Sequence, residues 1–166
     1  SCAKYIDTAL DGILARYKEA EILPMSQEHI KAIAEIEKEC FSDPWSEEAL
    51  KSELSNEGAC FLTAIKNNEV AGYMGMHIVL DECYIANVAV RPAFRRQGIA
   101  ESSLYTAEKT AQEKNCSFIS LEVRVSNTPA ISLYKKRGYI YQGERKNFYS
   151  HPTENALIMT KTFSEE

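Results

Sequence analysis

The chain has 166 residues, 45% of them hydrophobic and 26% charged, with a formal net charge of −5. That length supports one domain with a sizeable core, and the acidic balance argues against nucleic acid as a primary partner, because phosphate binding needs a basic face. No apolar run approaches the roughly 20 residues that cross a bilayer, and no secretory h-region is present, so no membrane partner and a cytoplasmic location are expected.

Five cysteines (Cys2, Cys40, Cys60, Cys83, Cys116) are odd in number and scattered without a C-x-x-C pair. This argues against a disulfide framework or a zinc site, so no metal is expected and a reducing compartment is. In chain order, Ile6, Leu10, Ile13, Leu14 and Tyr17 give residues 1–19 the spacing of an amphipathic helix, an extension to a single domain over 20–166. Glu21-Ile22-Leu23 reads as a short strand ended by Pro24. Ser26 is placed to cap a helix burying Ile30, Ile33, Ala34 and Ile36, and Ser46 caps a second helix with Glu47 and Glu48 in its first turn. Between them Phe41-Ser42-Asp43-Pro44-Trp45 forms a turn, with Trp45 either an anchor between the helices or a ligand contact.

Residues 60–66 and 70–80 read as a hairpin closed by Asn67-Asn68, and Asp81-Glu82 turns into a third strand over 83–90. Tyr84, Ala86, Val88 and Val90 alternate there with Ile85, Asn87 and Ala89, which predicts a strand covered on both faces. Pro92 stops it. Gly98 then opens a helix whose unpaired N–H groups and dipole make an anion site beside Arg95 and Arg96. The spacing puts Ala100, Ser103, Leu104, Ala107 and Ala111 on that helix's inner face, Glu101, Glu108, Lys109, Gln112 and Glu113 in solvent, and a stop at Asn115.

Residues 118–124 alternate so that Ile119, Leu121 and Val123 share one face while Phe118, Ser120 and Glu122 share the other. The strand–helix unit before it implies a parallel neighbour, hence a central strand and a partly sheltered Glu122, which needs a reason. Ser126 or Asn127 caps a helix that Gly138 ends, and strands over 139–146 and 156–163 close the chain around a loop holding Asn147, Phe148, Tyr149, His151 and Pro152.

This order of elements, with Arg95-x-x-Gly98-x-Ala100 at the turn, resembles the GNAT superfamily of acyl-CoA N-acyltransferases. The resemblance implies an α/β (α+β) fold with a central mixed sheet of about seven strands flanked by helices, here with an extra N-terminal helix. Six further segments are similar to the bacterial ribosomal-protein alanine N-acetyltransferase family: residues 41–49, Leu80-Asp81-Glu82, Asn87-x-Ala89-Val90, Leu121-Glu122-Val123-Arg124-x-Ser126-Asn127, Ala130-Ile131-x-Leu133-Tyr134 and Asn147-Phe148-Tyr149. That similarity implies acetyl-CoA as donor and the N-terminal alanine of the basic eighteenth small-subunit ribosomal protein as acceptor.

Carried over by residue, the cofactor would lie along Val88, Ala89 and Val90 and on Arg95, Arg96, Gln97, Gly98, Ile99, Ala100 and Glu101, with Val90 N–H an oxyanion donor. Asn127 is a pantetheine contact, a helix cap, or both. Glu122 takes the role of general base, or is held in an ion pair with Arg124 or another basic group, and Tyr134 is the general acid or a core aromatic. Phe41, Trp45, Asn147 and Tyr149 would select the acceptor. The chain departs from the family there, with Phe148 in place of a tyrosine and Ser150-His151 before Pro152; His151 is a loop histidine with no catalytic role.

A dinucleotide-binding fold is excluded by the antiparallel meander before the turn, and a P-loop by the missing Gly-Lys-Ser/Thr. The alternatives are an acetyltransferase acting on a small amine or a lysine side chain, and a CoA-binding interaction module without turnover.

Overall fold

The computed structural model describes residues 20–164, and the helix expected over 1–19 lies outside them. Strand β1 (Glu21–Pro24) leads through a single 3-10 turn to helices α1 (Ile30–Cys40) and α2 (Glu47–Glu53). The meander β2 (Ala59–Lys66), β3 (Glu69–Val79) and β4 (Glu82–Val90) follows, then α3 (Ile99–Glu113), β5 (Phe118–Arg124), α4 (Thr128–Lys136), β6 (Ile140–Tyr149) and β7 (Glu154–Thr162). The strands form one sheet in the order β1-β2-β3-β4-β5-β7-β6, parallel only between β4 and β5. This is the mixed, helix-flanked sheet that the sequence predicts. No helix among the described residues is long and apolar enough to cross a membrane.

Local chemistry sets most of these boundaries. Asn67 and Asn68 both take positive φ, as the two-residue turn between β2 and β3 demands. The Ser46 hydroxyl accepts from Ala49 N–H at 3.1 Å, a cap of the kind that contributes about 1 kcal/mol. Asn115, with φ 60°, ends α3 in the left-handed conformation. The helices cover opposite faces of the sheet. Helices α1 and α2 bury Ile33, Ile36 and Leu50 against Phe61, Tyr73 and Ala89, while α3 and α4 pack on Met74, Met76, Cys83, Ile85, Ile119, Leu121 and Val123.

Three sequence expectations are corrected. β4 does not alternate without interruption: Gly75 pairs with Asn87 but Met76 pairs with Ile85, so Ala86 is an extra residue, a β-bulge. Beyond it the sides exchange, and Val88 joins Ile85 on the α3/α4 face while Ala89 turns to the α1 face. Nor are both faces covered, because Tyr84 and Ala86 are exposed.

Glu108 is not in solvent. It is buried on α3, where its carboxylate accepts from Arg137 Nη2 (3.0 and 3.2 Å) and from Lys161 Nζ (2.7 Å), tying α3 to the end of α4 and to β7. Glu108→Ala strands two cations that are each about a quarter exposed. The expected loss is on the order of 2 kcal/mol in chemical denaturation, below the full cost of breaking a wholly buried pair.

Residues 147–149 are not a loop. β6 runs on to Tyr149, which pairs with Glu154 after an irregularity at which Asn147 takes φ 51°, so only four residues join the last two strands.

Candidate functional site

The parallel pairing of β4 with β5 runs only from Glu82↔Phe118 to Ile85↔Leu121. It stops where the Ala86 bulge bends β4 away, and past that point the two central strands diverge. Their separation opens a cavity of about 630 Å³, walled by Ala86, Asn87 and Val88 on one side and by Glu122, Val123 and Arg124 on the other.

The hydrogen-bond phase of β4 sets what faces this gap. Arg91 N–H donates to Ala71 O at 2.8 Å, so Gly72 and Val90 form the non-bonded kind of antiparallel pair. The N–H groups of Val90 and, two residues back, Val88 therefore turn away from β3, toward the side that β5 has left. On that side Val90 O accepts from Arg95 Nε at 3.1 Å. Arg95 also reaches Cys40 Sγ at 3.6 Å, so this guanidinium braces the end of the strand. Gln97 Nε2 bonds to Ala93 O at 3.3 Å. Arg96 and Gly98 take φ of 62° and 77°, and a Cβ on Gly98 would meet nothing within 4 Å, so open space lies over the start of α3. There Ile99, Ala100 and Glu101 carry the unpaired amides of the first turn. Such a turn fits a phosphate-bearing ligand.

The predicted acid–base pair reaches the cavity from opposite faces of the sheet. Glu122, on β5, accepts from Arg145 Nε at 3.1 Å rather than from Arg124, and about a third of its side chain is exposed. Arg124 holds the β6–β7 turn instead, bonding to Ser150 O, Pro152 O and Glu154 and lying 4.4 Å over the Tyr149 ring. Tyr134, on α4, is 7% exposed; its ring packs 5.7 Å from Tyr139 and also lines the cavity. It is at once a core aromatic and a cavity residue. Burial pushes its phenol up to about 12. Asn127 lines the same wall, and its Oδ1 caps α4 by accepting from Ala130 N–H at 3.3 Å.

Phe41, Trp45 and Tyr149 stand around the mouth on the α1 side, with Trp45 also packed 6.0 Å from Phe61. Asn147 does not line it; its N–H is engaged by Asn155 Oδ1 at 2.9 Å. Ser42 Oγ donates to His151 O at 2.6 Å, and His151 Nδ1 lies 3.1 Å from Asp43 Oδ2, so the α1–α2 turn and the β6–β7 turn meet across the mouth.

One wall residue escaped the sequence reading. Glu37 of α1 is 1% exposed and accepts from Tyr73 Oη and, at 2.9 Å, from Asn87 Nδ2. Its signal was its place in the stripe Ile30, Ile33, Ala34, Glu37, where the spacing calls for an apolar residue. Among the described residues no group of three or more His, Cys, Asp or Glu could hold a metal ion.

A family model described as the acetyltransferase (GNAT) family matches residues 30–139. A Bacillus subtilis (strain 168) protein provisionally named ribosomal protein bS18-alanine N-acetyltransferase is 41% identical over 147 residues, which is 88% of this chain and 97% of that protein. The crystal structure of the ribosomal-protein-S18-alanine N-acetyltransferase from Escherichia coli superposes with a TM-score of 0.81 at 29% identity, covering 89% of this chain and 96% of that one. The Arabidopsis thaliana NAA60 structure in complex with acetyl-CoA shares the fold, with a TM-score of 0.79 at 18% identity over 87% of this chain and 99% of that one.

Proposed function

The chain belongs to the acetyltransferase (GNAT) family, and from that membership we propose that it acetylates the N-terminal α-amine of a protein, the alanine of ribosomal protein bS18, with acetyl-CoA as donor. The divergence of β4 from β5, with Glu122 on one face and Tyr134 on the other, is the observation that carries this reading. The names of the Bacillus and Escherichia relatives support the acceptor, and the acetyl-CoA bound to the Arabidopsis neighbour supports the donor. Ribosomal proteins are made in the cytoplasm, where the enzyme would meet its acceptor.

The donor supplies an activated acetyl thioester. An extended amide-bearing arm fits between the strands, where Val88 and Val90 turn their N–H groups to the gap, and its phosphates fit the first turn of α3 beside Arg96. An α-amine has a pKa of about 8, so at neutral pH most of it is ammonium and must lose a proton before it attacks. The Glu122 carboxylate, oriented through Oε1 by Arg145, receives that proton directly or through a water. The amine nitrogen then bonds to the acetyl carbon, the carbon–sulfur bond breaks, the nitrogen releases its second proton to water as it becomes an amide, and the leaving sulfur needs a proton. Tyr134 holds one at neutral pH. The burial that strengthens its hold equally disfavours a bare thiolate, so the transfer remains feasible.

Incubation with acetyl-CoA and Ala-, Ser- and Met-starting peptides, an N-terminally blocked lysine peptide and a polyamine tests the acceptor. CoA release should be fastest with the Ala-starting bS18 sequence, and mass spectrometry should place the acetyl group on its α-nitrogen. Preference for the polyamine or the lysine peptide would sink the N-terminal reading, and no release with any acceptor would favour a binding module.

A further inference from the structure

A carboxylate seldom occupies a protein interior without a cation beside it. Glu37 does. Its Oε1 is engaged by Tyr73 Oη and Asn87 Nδ2, and the same Asn87 amide donates to Tyr73 Oη at 3.0 Å, closing a triangle between α1, β3 and the residue after the β4 bulge. Its Oε2 is buried and has no hydrogen-bond partner among the described residues. The main-chain amide of Trp45 also favours the ionised form. The arginines around α1 are otherwise committed, Arg91 to Glu35 and Glu39 and Arg95 to Val90 O and Cys40.

We propose that the Glu37 carboxylate is the docking point for the ammonium form of the acceptor's N-terminal amine. The inference rests on the acceptor reading above and adds a binding residue to it. Glu37 is part of the cavity wall on the α1 side, the face of the sheet that also carries Glu122. An ammonium brings three donors and a positive charge, which an unpaired buried carboxylate oxygen lacks. The two acids then divide the work. Glu37 holds the ammonium, and Glu122 takes the proton whose loss frees the lone pair. Burial raises the Glu37 pKa, as expected of a carboxylate awaiting a counter-charge. Because binding the ammonium also stabilises the unreactive form of the amine, Glu37 lowers KM and does not raise kcat.

Glu37→Gln removes the charge while Oε1 still accepts from Tyr73 and Asn87. With the Ala-starting peptide its KM should rise tenfold or more, with kcat within about twofold of wild type and acetyl-CoA affinity unchanged. Tyr73→Phe removes a donor from the same triangle, keeps the charge, and should leave the peptide KM within about threefold. A second measurement uses the wild-type enzyme alone. The same peptide with a hydroxyl in place of its α-amine should bind at least tenfold more weakly than the amine peptide in the presence of CoA. An unchanged KM in Glu37→Gln, equal KM increases in both variants, or equally tight binding of the hydroxyl peptide would overturn the proposal and reduce Glu37 to a scaffold residue. Absence of wild-type turnover with the Ala-starting peptide would overturn the acceptor reading and this inference with it. Wild-type turnover with any of those three outcomes overturns this inference alone.

Discussion

The Tyr134→Phe enzyme is expected to turn over roughly 10²-fold or more slowly than wild type, the scale of a lost general acid. The substitution deletes one oxygen and leaves the ring that packs among Leu121, Val123 and Tyr139. Its thermal midpoint should therefore stay near that of wild type, since the loss of one hydroxyl changes stability by about 1 kcal/mol or less. Steady-state kinetics beside a melting curve separates the two roles this side chain combines. Near-wild-type kcat would remove Tyr134 from the chemistry and leave it a core aromatic. A fall in kcat matched by a large fall in melting temperature would mean that α4 had shifted.

The second large effect is expected from Glu122→Gln, a drop in kcat/KM of roughly 10²-fold or more at pH 7. Gln keeps an oxygen for Arg145 Nε to donate to, so the geometry of the pair survives the change. The diagnostic is pH. At pH 7 only about a tenth of an α-amine of pKa near 8 is neutral, and at pH 9 nearly all of it is. Above the amine pKa the base has less to do, so the deficit should shrink by about tenfold between pH 7 and pH 9. A deficit of constant size across that range would argue that Glu122 holds Arg145 and the β6 strand in place and does not move a proton.

Much of this architecture can be read from the chain because its signals are local. Asn67-Asn68, Gly98 and Asn115 stand where the backbone must take positive φ, and Ser46 and Asn127 stand where helices need caps. The apolar alternation of β5 places Glu122 on the face opposite Leu121 and Val123. The rest depends on partners far away in sequence. Nothing around Ala86 marks a bulge, because an extra residue is defined only by the strand it pairs with. Glu37 and Glu108 show the same blindness from the other side. Each occupies a stripe position on its helix, Glu37 after Ile30, Ile33 and Ala34, and Glu108 one turn from Leu104 and Ala111. Periodicity alone cannot tell a buried acid from an exposed one. Glu108 is satisfied by Arg137 and Lys161, one at the end of α4 and one on β7, and Glu37 is held through Oε1 by Tyr73 and Asn87 from the meander, so neither environment is written near the residue itself. Asn147 was misplaced for a simpler reason: asparagine favours turns, but β6 absorbs it as a left-handed irregularity within the strand.

The short join between β4 and β5 has a mechanical side. Four paired positions hold these strands together, against seven between β5 and β7 and eight between β3 and β4. The sheet is thus two stiff leaves, β1 to β4 and β5 to β7, sharing a narrow spine at one end. Val88 stands on the free margin of one leaf and Val123 on that of the other. Anything lodged between them braces both margins at once, and when it leaves, the spine alone carries the load.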